Sequence, residues 1–87
     1  MVITLYVLRG TTGRRYVGIT NDLPRRLQEH RSGSTAAGHL LGDFQVILTE
    51  HYPDHARARI RERFLKSGQG RKELDTFERQ TEPAGGG

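Results

Sequence analysis

The chain has 87 residues, 33% of them hydrophobic, and its 14 Lys and Arg residues against 10 Asp and Glu residues give a net charge of +4. This length allows one domain with a modest core, and the absence of cysteine excludes disulfides and thiolate metal sites. The sequence has neither an apolar run of the ~20 residues that cross a membrane nor a signal-peptide pattern at its N-terminus. We therefore expect a cytoplasmic protein with no membrane partner.

Arginine supplies most of the positive charge, because Lys66 and Lys72 are the only lysines. Guanidinium groups bind phosphate oxygens in a bidentate geometry. The charge therefore favours a nucleic-acid partner, with an electrostatic component to binding, over a generally basic soluble protein.

The first predicted element is a strand over residues 2–8, an apolar run typical of a central strand that is buried on both faces. A glycine-containing turn follows, and residues 15–19 form the second strand of a hairpin. If the hairpin is centred on Thr11, Tyr6 and Tyr16 pair directly, whereas a shift of one residue puts the two rings on opposite faces. The pattern leaves this register open. Gly18 shares a face with Tyr16 and leaves room for a backbone or a ligand.

A capped helix is predicted next, over about residues 22–32. Asn21 and Asp22 are each suitable N-caps, and Pro24 lies where the first turn of a helix accepts proline. Gly33 is a typical C-terminal stop.

One face of this helix carries two residues that suit phosphate chemistry. Leu23 and Leu27 define the buried stripe, and Arg26 and His30 lie at its edge with i,i+4 spacing. Arg25 faces away from the stripe. We therefore expect Arg26 and His30 to lie beside the strand that carries Tyr16.

Residues 33–43 are small and glycine-rich, which predicts a flexible loop with a short apolar insert, placed where it could contact a substrate. Residues 44–50 predict a third strand that completes a small sheet. Strand periodicity puts Phe44, Val46 and Leu48 on one face of it and Ile47 on the other.

A second helix is predicted over about residues 55–67, with Asp54 as its N-cap and Gly68 as its stop. Small or apolar residues recur every four positions in this helix, so Ala56, Ile60 and Phe64 form the expected core stripe.

Glu62 falls on a different face of that helix, between Arg59 and Lys66. Helix periodicity favours surface ion pairs worth a few tenths of a kcal/mol. The alternative is a lone carboxylate that holds one divalent cation, with phosphate and water in the other coordination positions. Glu50 and Glu73 are the fallback ligands.

The last part of the chain predicts a basic glycine turn over residues 67–72 and a short helix over residues 73–78. We expect a disordered tail over residues 79–87, so that the domain covers residues 1–78. The resulting architecture is α+β: a three-stranded antiparallel sheet flanked by helices, in the order β-β-α-β-α with a short C-terminal helix.

These motifs resemble the GIY-YIG nuclease superfamily, in particular its small stand-alone domains. The first family motif falls on Thr4-Leu5-Tyr6, with only the tyrosine retained, and the second falls on Tyr16-Val17-Gly18. The family's helix arginine, ten residues after the second tyrosine, matches Arg26, and the histidine one turn later matches His30. The segment around Glu62 is similar to the one that carries the family's metal-binding glutamate.

The resemblance implies a metal-dependent endonuclease that hydrolyses phosphodiester bonds of DNA, with RNA not excluded. Tyr6 would help to deprotonate the attacking water, for which nearby positive charge must lower its pKa. Arg26 would hold the scissile phosphate, and Glu62 would hold one Mg²⁺ or Mn²⁺ ion. Tyr16 and His30 would bind phosphate or relay protons. Expected nucleic-acid contacts are Arg14, Arg15, Gly18, Arg59, Lys66, Arg71 and Lys72.

The sequence also leaves alternatives to a sequence-specific nuclease. It contains no zinc finger or helix-turn-helix for sequence recognition, which favours structure-guided or weakly specific cutting, with recruitment by a protein partner. A nucleic-acid-binding module would keep the fold without useful catalysis and would not depend on Glu62. A protein-interaction adaptor would use the basic surface against an acidic partner. The oligomeric state stays open.

Overall fold

A computed structural model describes residues 1–81 of the chain. Its three strands form one antiparallel sheet in the order β2-β1-β3, with helices on both faces. The predicted α+β fold with a three-stranded antiparallel sheet is confirmed. The elements in chain order are β1 (Ile3–Gly10), β2 (Arg15–Thr20), α1 (Leu23–Arg31), α2 (Ala36–Leu41), β3 (Phe44–Tyr52), α3 (His55–Lys66) and α4 (Gly68–Thr81). Among these residues, no helix combines the length and apolar character needed to cross a membrane.

The central strand β1 explains the apolar run near the N-terminus, because both faces of this strand are covered. Side chains alternate along a strand, so β1 contributes to two separate core clusters. On one face, α3 and α4 pack on the sheet, and the buried residues there are Leu5, Val7, Val17, Leu65 and Leu74. On the other face, α1 and α2 pack around Tyr6, Leu8 and Leu41.

The hairpin register differs from a direct pairing of the two tyrosines. Tyr6 pairs with Gly18, and Tyr16 pairs with Leu8, so the hairpin is centred one residue beyond Thr11. Direct opposition of the tyrosines is therefore wrong. When the centre of the hairpin moves by one residue, the partner of each residue moves by two along the opposite strand. Side chains two residues apart lie on the same face of a strand, so the two tyrosines still share a face. The two rings share one side of the sheet, with their centroids 6.1 Å apart.

A β-bulge changes the faces of β3. Leu8 pairs with Val46 while its neighbour Val7 pairs with Leu48, so Ile47 is the extra residue. Leu48 consequently packs with Ile47 against the α3 and α4 side, whereas Phe44 packs on the opposite side. The prediction that Phe44, Val46 and Leu48 share a face is wrong, because periodicity does not count an inserted residue.

The predicted loop over residues 33–43 contains the short helix α2, so that prediction is wrong. Thr35 caps this helix, since its Oγ1 accepts a hydrogen bond from the Gly38 N–H at 3.0 Å. Leu41 anchors it in the cluster with Tyr6 and Leu8. A Cβ at Gly38 would lie 2.2 Å from the His30 carbonyl oxygen, so glycine allows α2 to approach the end of α1.

The face that α3 turns to the sheet is not the predicted one. Asp54 caps the helix as expected, and its side chain accepts from the Arg57 N–H at 2.8 Å. The fully buried residues are Ala58 and Leu65, whereas Ile60 is 70% exposed. The helix is therefore rotated away from the Ala56, Ile60 and Phe64 stripe, although Phe64 still packs partly against the core.

The helix α4 replaces the predicted basic turn, the short helix and the beginning of the tail. It begins at Gly68 and continues through Arg79 to Thr81, so residues 79–81 are helical. The remainder of the predicted tail, residues 82–87, lies outside the described residues. Ion pairs join α4 to the hairpin: Arg15 to Asp75 at 2.8 Å, and Arg15 and Arg9 to Glu78 at 3.0 and 2.7 Å.

Candidate functional site

The start of α1 orients the residues that face the sheet. Of the two candidate caps, Asp22 is the N-cap: its Oδ1 accepts the Arg25 N–H at 3.1 Å, and its own N–H donates to Thr20 Oγ1 at 3.0 Å. This anchors the helix to the end of β2. Leu23 and Leu27 then pack on the Tyr6 side of the sheet, as predicted.

His30 ends up buried between the two tyrosines, with 1% of its surface exposed. Its Nε2 lies 2.9 Å from Tyr6 Oη, and its Nδ1 lies 2.7 Å from Thr35 Oγ1. Its ring centroid lies 5.9 Å from that of Tyr6 and 5.3 Å from that of Tyr16. We call Tyr6, Tyr16 and His30 the tyrosine–histidine cluster.

Gly18 makes this cluster sterically feasible. A Cβ at this position would lie 2.6 Å from Tyr6 Oη and 2.9 Å from Tyr16 Cε2, closer than real Cβ contacts. The space left by the missing side chain is therefore filled by the two rings. The expectation that Gly18 leaves room for a ligand is wrong in this structure, because β1 brings Tyr6 directly opposite it.

Arg26 lies beside the cluster and reaches solvent, with 37% of its side chain exposed. Its Nη1 donates to Glu29 Oε1 at 3.1 Å. Hydrogen bonding to the Tyr6 hydroxyl and to Glu29 raises the pKa of the guanidinium. Arg26 is thus a permanent cation at the boundary between the buried hydroxyl of Tyr6 and solvent.

The buried members of the cluster are both neutral near pH 7. Burial raises the pKa of Tyr6 to about 12, and Tyr16 adds to this effect, while Arg26 opposes it. Burial also lowers the pKa of His30, and the positive charge of Arg26 lowers it further. Arg26 alone therefore does not bring the pKa of Tyr6 below its usual value, because desolvation of the phenolate outweighs the attraction of Arg26.

Glu62 approaches the sheet from the other side. It shares the inner face of α3 with Ala58 and Leu65, and only 13% of its side chain is exposed. The expectation of a carboxylate on a different face from the core is wrong, because the helix is rotated. The expected ion pair with Lys66 is present, with Nζ 3.3 Å from Oε2.

The two sides of the sheet meet at β2, which is an edge strand. A cleft of about 430 Å³ runs along this edge, and its lining includes Tyr16, Lys66 and Arg71. Tyr16 belongs to the α1 side of the sheet, whereas Lys66 is the ion-pair partner of Glu62 on the α3 side. The structure thus brings Tyr6, Tyr16, Arg26 and His30 together directly. It places Lys66, the ion-pair partner of Glu62, at the cleft beside Tyr16.

Apart from Gly18, described above, the expected nucleic-acid contacts fall into three groups. Arg15 is largely enclosed, with 18% of its side chain exposed, and it is held by the two carboxylates of α4 described above. Lys66 and Arg71 line the cleft beside Tyr16. The remaining predicted contacts are exposed on the surface, namely Arg14, Arg59 and Lys72.

The two fallback ligands belong to a different cluster, around Arg61. This guanidinium donates to both oxygens of Glu50, at 3.0 and 3.2 Å, and to Glu73, and Tyr52 Oη donates to Glu50 at 2.7 Å. Burial on its own would raise the pKa of Glu50, but the hydrogen bonds from Arg61 and Tyr52 hold it below its usual value. Arg61 thus ties β3 to α4 and occupies both carboxylates.

Glu62 offers a single carboxylate, the type of oxygen ligand that a hard cation takes. Within residues 1–81, no three His, Cys, Asp or Glu side chains gather as a ready-made metal site. Mg²⁺ often binds through one or two carboxylates, with waters and substrate phosphates supplying the other oxygens. Glu62 provides one such carboxylate, and a cation that binds it would displace the ammonium group of Lys66.

Sequence reasoning missed Thr35 as a site residue. Its Oγ1 contacts the imidazole of His30, and its position depends on a helix that was predicted as a loop, because Thr35 is the N-cap of α2. The available signal was a threonine directly before two alanines, a typical N-cap position.

A sequence model of the GIY-YIG catalytic domain matches residues 2–78. The chain belongs to the GIY-YIG family. The resemblance suggested by its two tyrosine motifs is therefore confirmed. GIY-YIG domains form a nuclease family, so this chain contains a domain of the nuclease type.

Relatives of this chain include proteins named UPF0213. One from Xanthomonas campestris pv. campestris is 44% identical over 64 residues, which cover 71% of this chain and 62% of the relative. One from Klebsiella pneumoniae is 38% identical over 55 residues, which cover 62% of this chain and 52% of the relative. The chain thus matches less than two thirds of the length of these relatives.

A solved structure has a similar fold. The solution NMR structure of a UPF0213 protein from Bacillus halodurans aligns with a TM-score of 0.56 and 26% sequence identity. The alignment covers 97% of this chain and 98% of that one.

Proposed function

We propose that this chain is an endonuclease that depends on Mg²⁺ or Mn²⁺ and hydrolyses phosphodiester bonds of DNA. The observation that supports this best is the placement of a permanent cation, Arg26, beside the tyrosine–histidine cluster at the edge strand β2. Phosphodiester hydrolysis needs a cation for the developing negative charge and an acceptor for the proton of the attacking water. Both are present here in one place.

Arg26 is the proposed phosphate ligand. It keeps its charge and its partial exposure, and it is held in place by Glu29 and by the Tyr6 hydroxyl. A phosphodiester would compete with Glu29 for the guanidinium, since both are anionic acceptors. Arg26 would then stabilise the extra negative charge on phosphorus in the transition state.

The tyrosine–histidine cluster is the proposed path for the proton. Tyr16 is half-buried and lines the cleft, so it is placed to contact phosphate or the attacking water. Tyr6 is fully buried, and its hydroxyl hydrogen bonds to His30 Nε2. Because the pKa of Tyr6 is raised and that of His30 is lowered, Tyr6 starts as a phenol and His30 as a neutral acceptor. We propose that Tyr6 passes its proton to His30 Nε2 while the Tyr6 oxygen accepts the proton of the attacking water, so that no free phenolate has to form.

Glu62 is the proposed metal ligand. A divalent cation bound there would supply Lewis-acid stabilisation to the oxygen that leaves phosphorus. Lys66, which pairs with Glu62 and lines the cleft with Tyr16, would turn towards the phosphate backbone when the carboxylate binds metal.

The DNA would follow the cationic surface that extends from the cleft. Lys66 and Arg71 lie at the cleft itself, and Arg14, Arg59 and Lys72 lie exposed for contacts further along. Such contacts read the phosphate backbone and not the bases, so we propose structure-guided or weakly specific cutting, with a protein partner for recruitment. Arg15, which is already paired with α4, would hold the hairpin in place.

The test is nicking of labelled single-stranded, duplex and branched DNA with Mg²⁺ or Mn²⁺, and again after chelation by EDTA. Arg26→Ala is expected to slow cleavage about 10²- to 10³-fold, as for the loss of one charge-stabilising donor. Arg25→Ala is the matched control, because Arg25 is the neighbouring arginine, also pairs with Glu29, and is 58% exposed away from the cluster. Glu62→Gln is expected to abolish the metal dependence together with the activity.

A second candidate, a nucleic-acid-binding module with little catalysis, is favoured by the buried state and raised pKa of Tyr6. Salt-sensitive DNA binding without cleavage by the wild type would support this candidate and contradict the nuclease. Equal cleavage by the wild type and both variants would also contradict the proposed site. Absence of both cleavage and binding would favour a protein-interaction adaptor.

A further inference from the structure

The hydroxyl of Thr35 lies between the candidate catalytic histidine and the first turn of α2. Its Oγ1 is 2.7 Å from His30 Nδ1 and accepts the Gly38 N–H at 3.0 Å. His30 is therefore held at both ring nitrogens, by Thr35 on one side and by Tyr6 on the other.

Hydrogen-bond accounting selects one tautomer of His30. The Tyr6 hydroxyl is fully buried and has a single hydrogen to donate. Its acceptor at normal hydrogen-bond geometry is His30 Nε2, at 2.9 Å, and the Tyr16 hydroxyl is the weaker alternative. Arg26 approaches the same oxygen only as a donor. If Nε2 carried the proton, the hydroxyl hydrogen of Tyr6 would lose its better acceptor and keep only the Tyr16 hydroxyl, a less favourable arrangement in a buried position. The proton of neutral His30 therefore belongs on Nδ1, where Thr35 accepts it.

Both lone pairs of Thr35 Oγ1 are used in this arrangement. One accepts Nδ1–H of His30, and the other accepts the N–H of Gly38. The side chain of Thr35 is half-buried, so its own hydrogen is free to bond to water. The geometry satisfies every polar atom without ionising the imidazole.

We propose that Thr35 is a positioning residue that holds the Nδ1–H tautomer of His30 and so leaves Nε2 bare to take the proton of Tyr6. This inference rests on the proposed nuclease function only for its catalytic consequence. The tautomer itself is a property of the free protein.

The packing of α2 keeps Thr35 in register with His30. The close approach of Gly38 to the His30 carbonyl fixes the distance between α2 and the end of α1. Leu41 is buried with Tyr6, and its carbonyl lies against Gly10, where a Cβ would be 2.7 Å away. The α2 segment therefore fixes the position of Thr35 relative to the imidazole of His30.

The decisive test is the tautomer of His30, measured by long-range ¹H–¹⁵N NMR on the full chain without DNA or metal. Replacing the three other histidines, all exposed, assigns the His30 signals: His39, His51 and His55. In the wild type we expect a protonated Nδ1 and an unprotonated Nε2. A protonated Nε2 in the wild type would overturn the proposal, whatever the variants do.

Two variants separate the hydroxyl from the shape of the residue. Thr35→Val keeps the volume and removes the acceptor, and we expect the Nε2–H form of His30 to appear. Thr35→Ser keeps the oxygen and should keep the wild-type signature. An unchanged Nδ1–H signature in Thr35→Val would contradict the proposal. If that variant does not fold, Thr35→Asp, which retains the cap and the acceptor, must still show Nδ1–H.

The catalytic consequence is tested separately by cleavage kinetics. Thr35→Val should lower kcat about 10²-fold, the size of a lost proton-transfer contribution, with KM within about twofold of the wild type because no phosphate ligand is removed. Thr35→Ser should restore kcat. A wild type without nuclease activity would defeat the proposed function, whereas the NMR result would still decide the role of Thr35.

Discussion

Removing the hydroxyl of Tyr6 should change the stability of the protein in a way that depends on pH. Tyr6 is fully buried, and its hydroxyl bonds to the equally buried His30. Tyr6→Phe leaves His30 Nε2 without its partner, which costs about 1–3 kcal/mol of unfolding free energy. The variant should therefore be less stable than the wild type by this amount between pH 7 and 9.

The difference should shrink at alkaline pH, because the pKa of Tyr6 is raised from 10.0 to about 12 in the folded state. Above pH 10 the unfolded wild-type chain loses the Tyr6 proton while the folded protein keeps it, so the wild type is destabilised as pH rises. From the two pKa values, this loss is about 1.4 kcal/mol at pH 11 and approaches about 2.7 kcal/mol above pH 12. Tyr6→Phe has no such loss.

Urea unfolding followed by far-UV circular dichroism from pH 8 to 11.5 measures both effects. Titrating groups that do not interact with Tyr6 cancel in the difference between the wild type and Tyr6→Phe. Leu27→Ala is the control, since it weakens the same side of the core without removing a titratable group, and its difference from the wild type should not depend on pH. A constant difference for Tyr6→Phe across this range would refute the assignment of a buried phenol with a raised pKa.

Three further perturbations follow from the same contacts. Gly18→Ala should lower the unfolding free energy by about 1–3 kcal/mol, because its Cβ would lie 2.6 Å from Tyr6 Oη. If the variant has the same urea midpoint as the wild type, the rings of Tyr6 and Tyr16 move aside at little cost in free energy. The lowered pKa of His30 means that the unfolding free energy should fall as pH drops below 6.5, where the unfolded chain binds a proton first. His30→Gln should reduce this pH dependence. An unchanged pH dependence in the variant would show that other groups cause it. Arg61→Met should lower the unfolding free energy by about 1–2 kcal/mol, a value kept small by the partial exposure of the ion pair. It should also raise the pKa of Glu50, which an NMR titration measures. A pKa of Glu50 that stays low in the variant would show that Arg61 is not its cause.

Short-range patterns were sufficient for the hairpin and the first helix. The hairpin, α1 and the Asp22 cap follow from residues within a few positions of one another, where local sterics and hydrogen bonds decide the conformation. The same spacing put Arg26 and His30 on the edge of the buried stripe. Their proximity to Tyr6 is therefore a consequence of helix periodicity and of packing on the adjacent strand.

Local patterns failed where a second element decides the outcome. The bulge at Ile47 depends on pairing with β1, and the rotation of α3 depends on which side meets the sheet. In α2 and α4, glycines that usually mark turns are close-contact positions: a Cβ at Gly70 would lie 2.0 Å from the Phe64 carbonyl oxygen. Glycine was interpreted as chain flexibility, whereas here it permits backbone contact between helices.

The sequence by itself determined the family, the three-stranded sheet and the identity of the Tyr6, Tyr16, Arg26 and His30 set, because these follow from motif spacing along a continuous segment. Only the tertiary structure decided the chemical state of that set. Burial raises the pKa of Tyr6 and lowers that of His30, and a threonine from α2 completes the histidine's hydrogen bonds. Desolvation and contacts between distant segments depend on packing in three dimensions, which residue spacing along the chain does not encode.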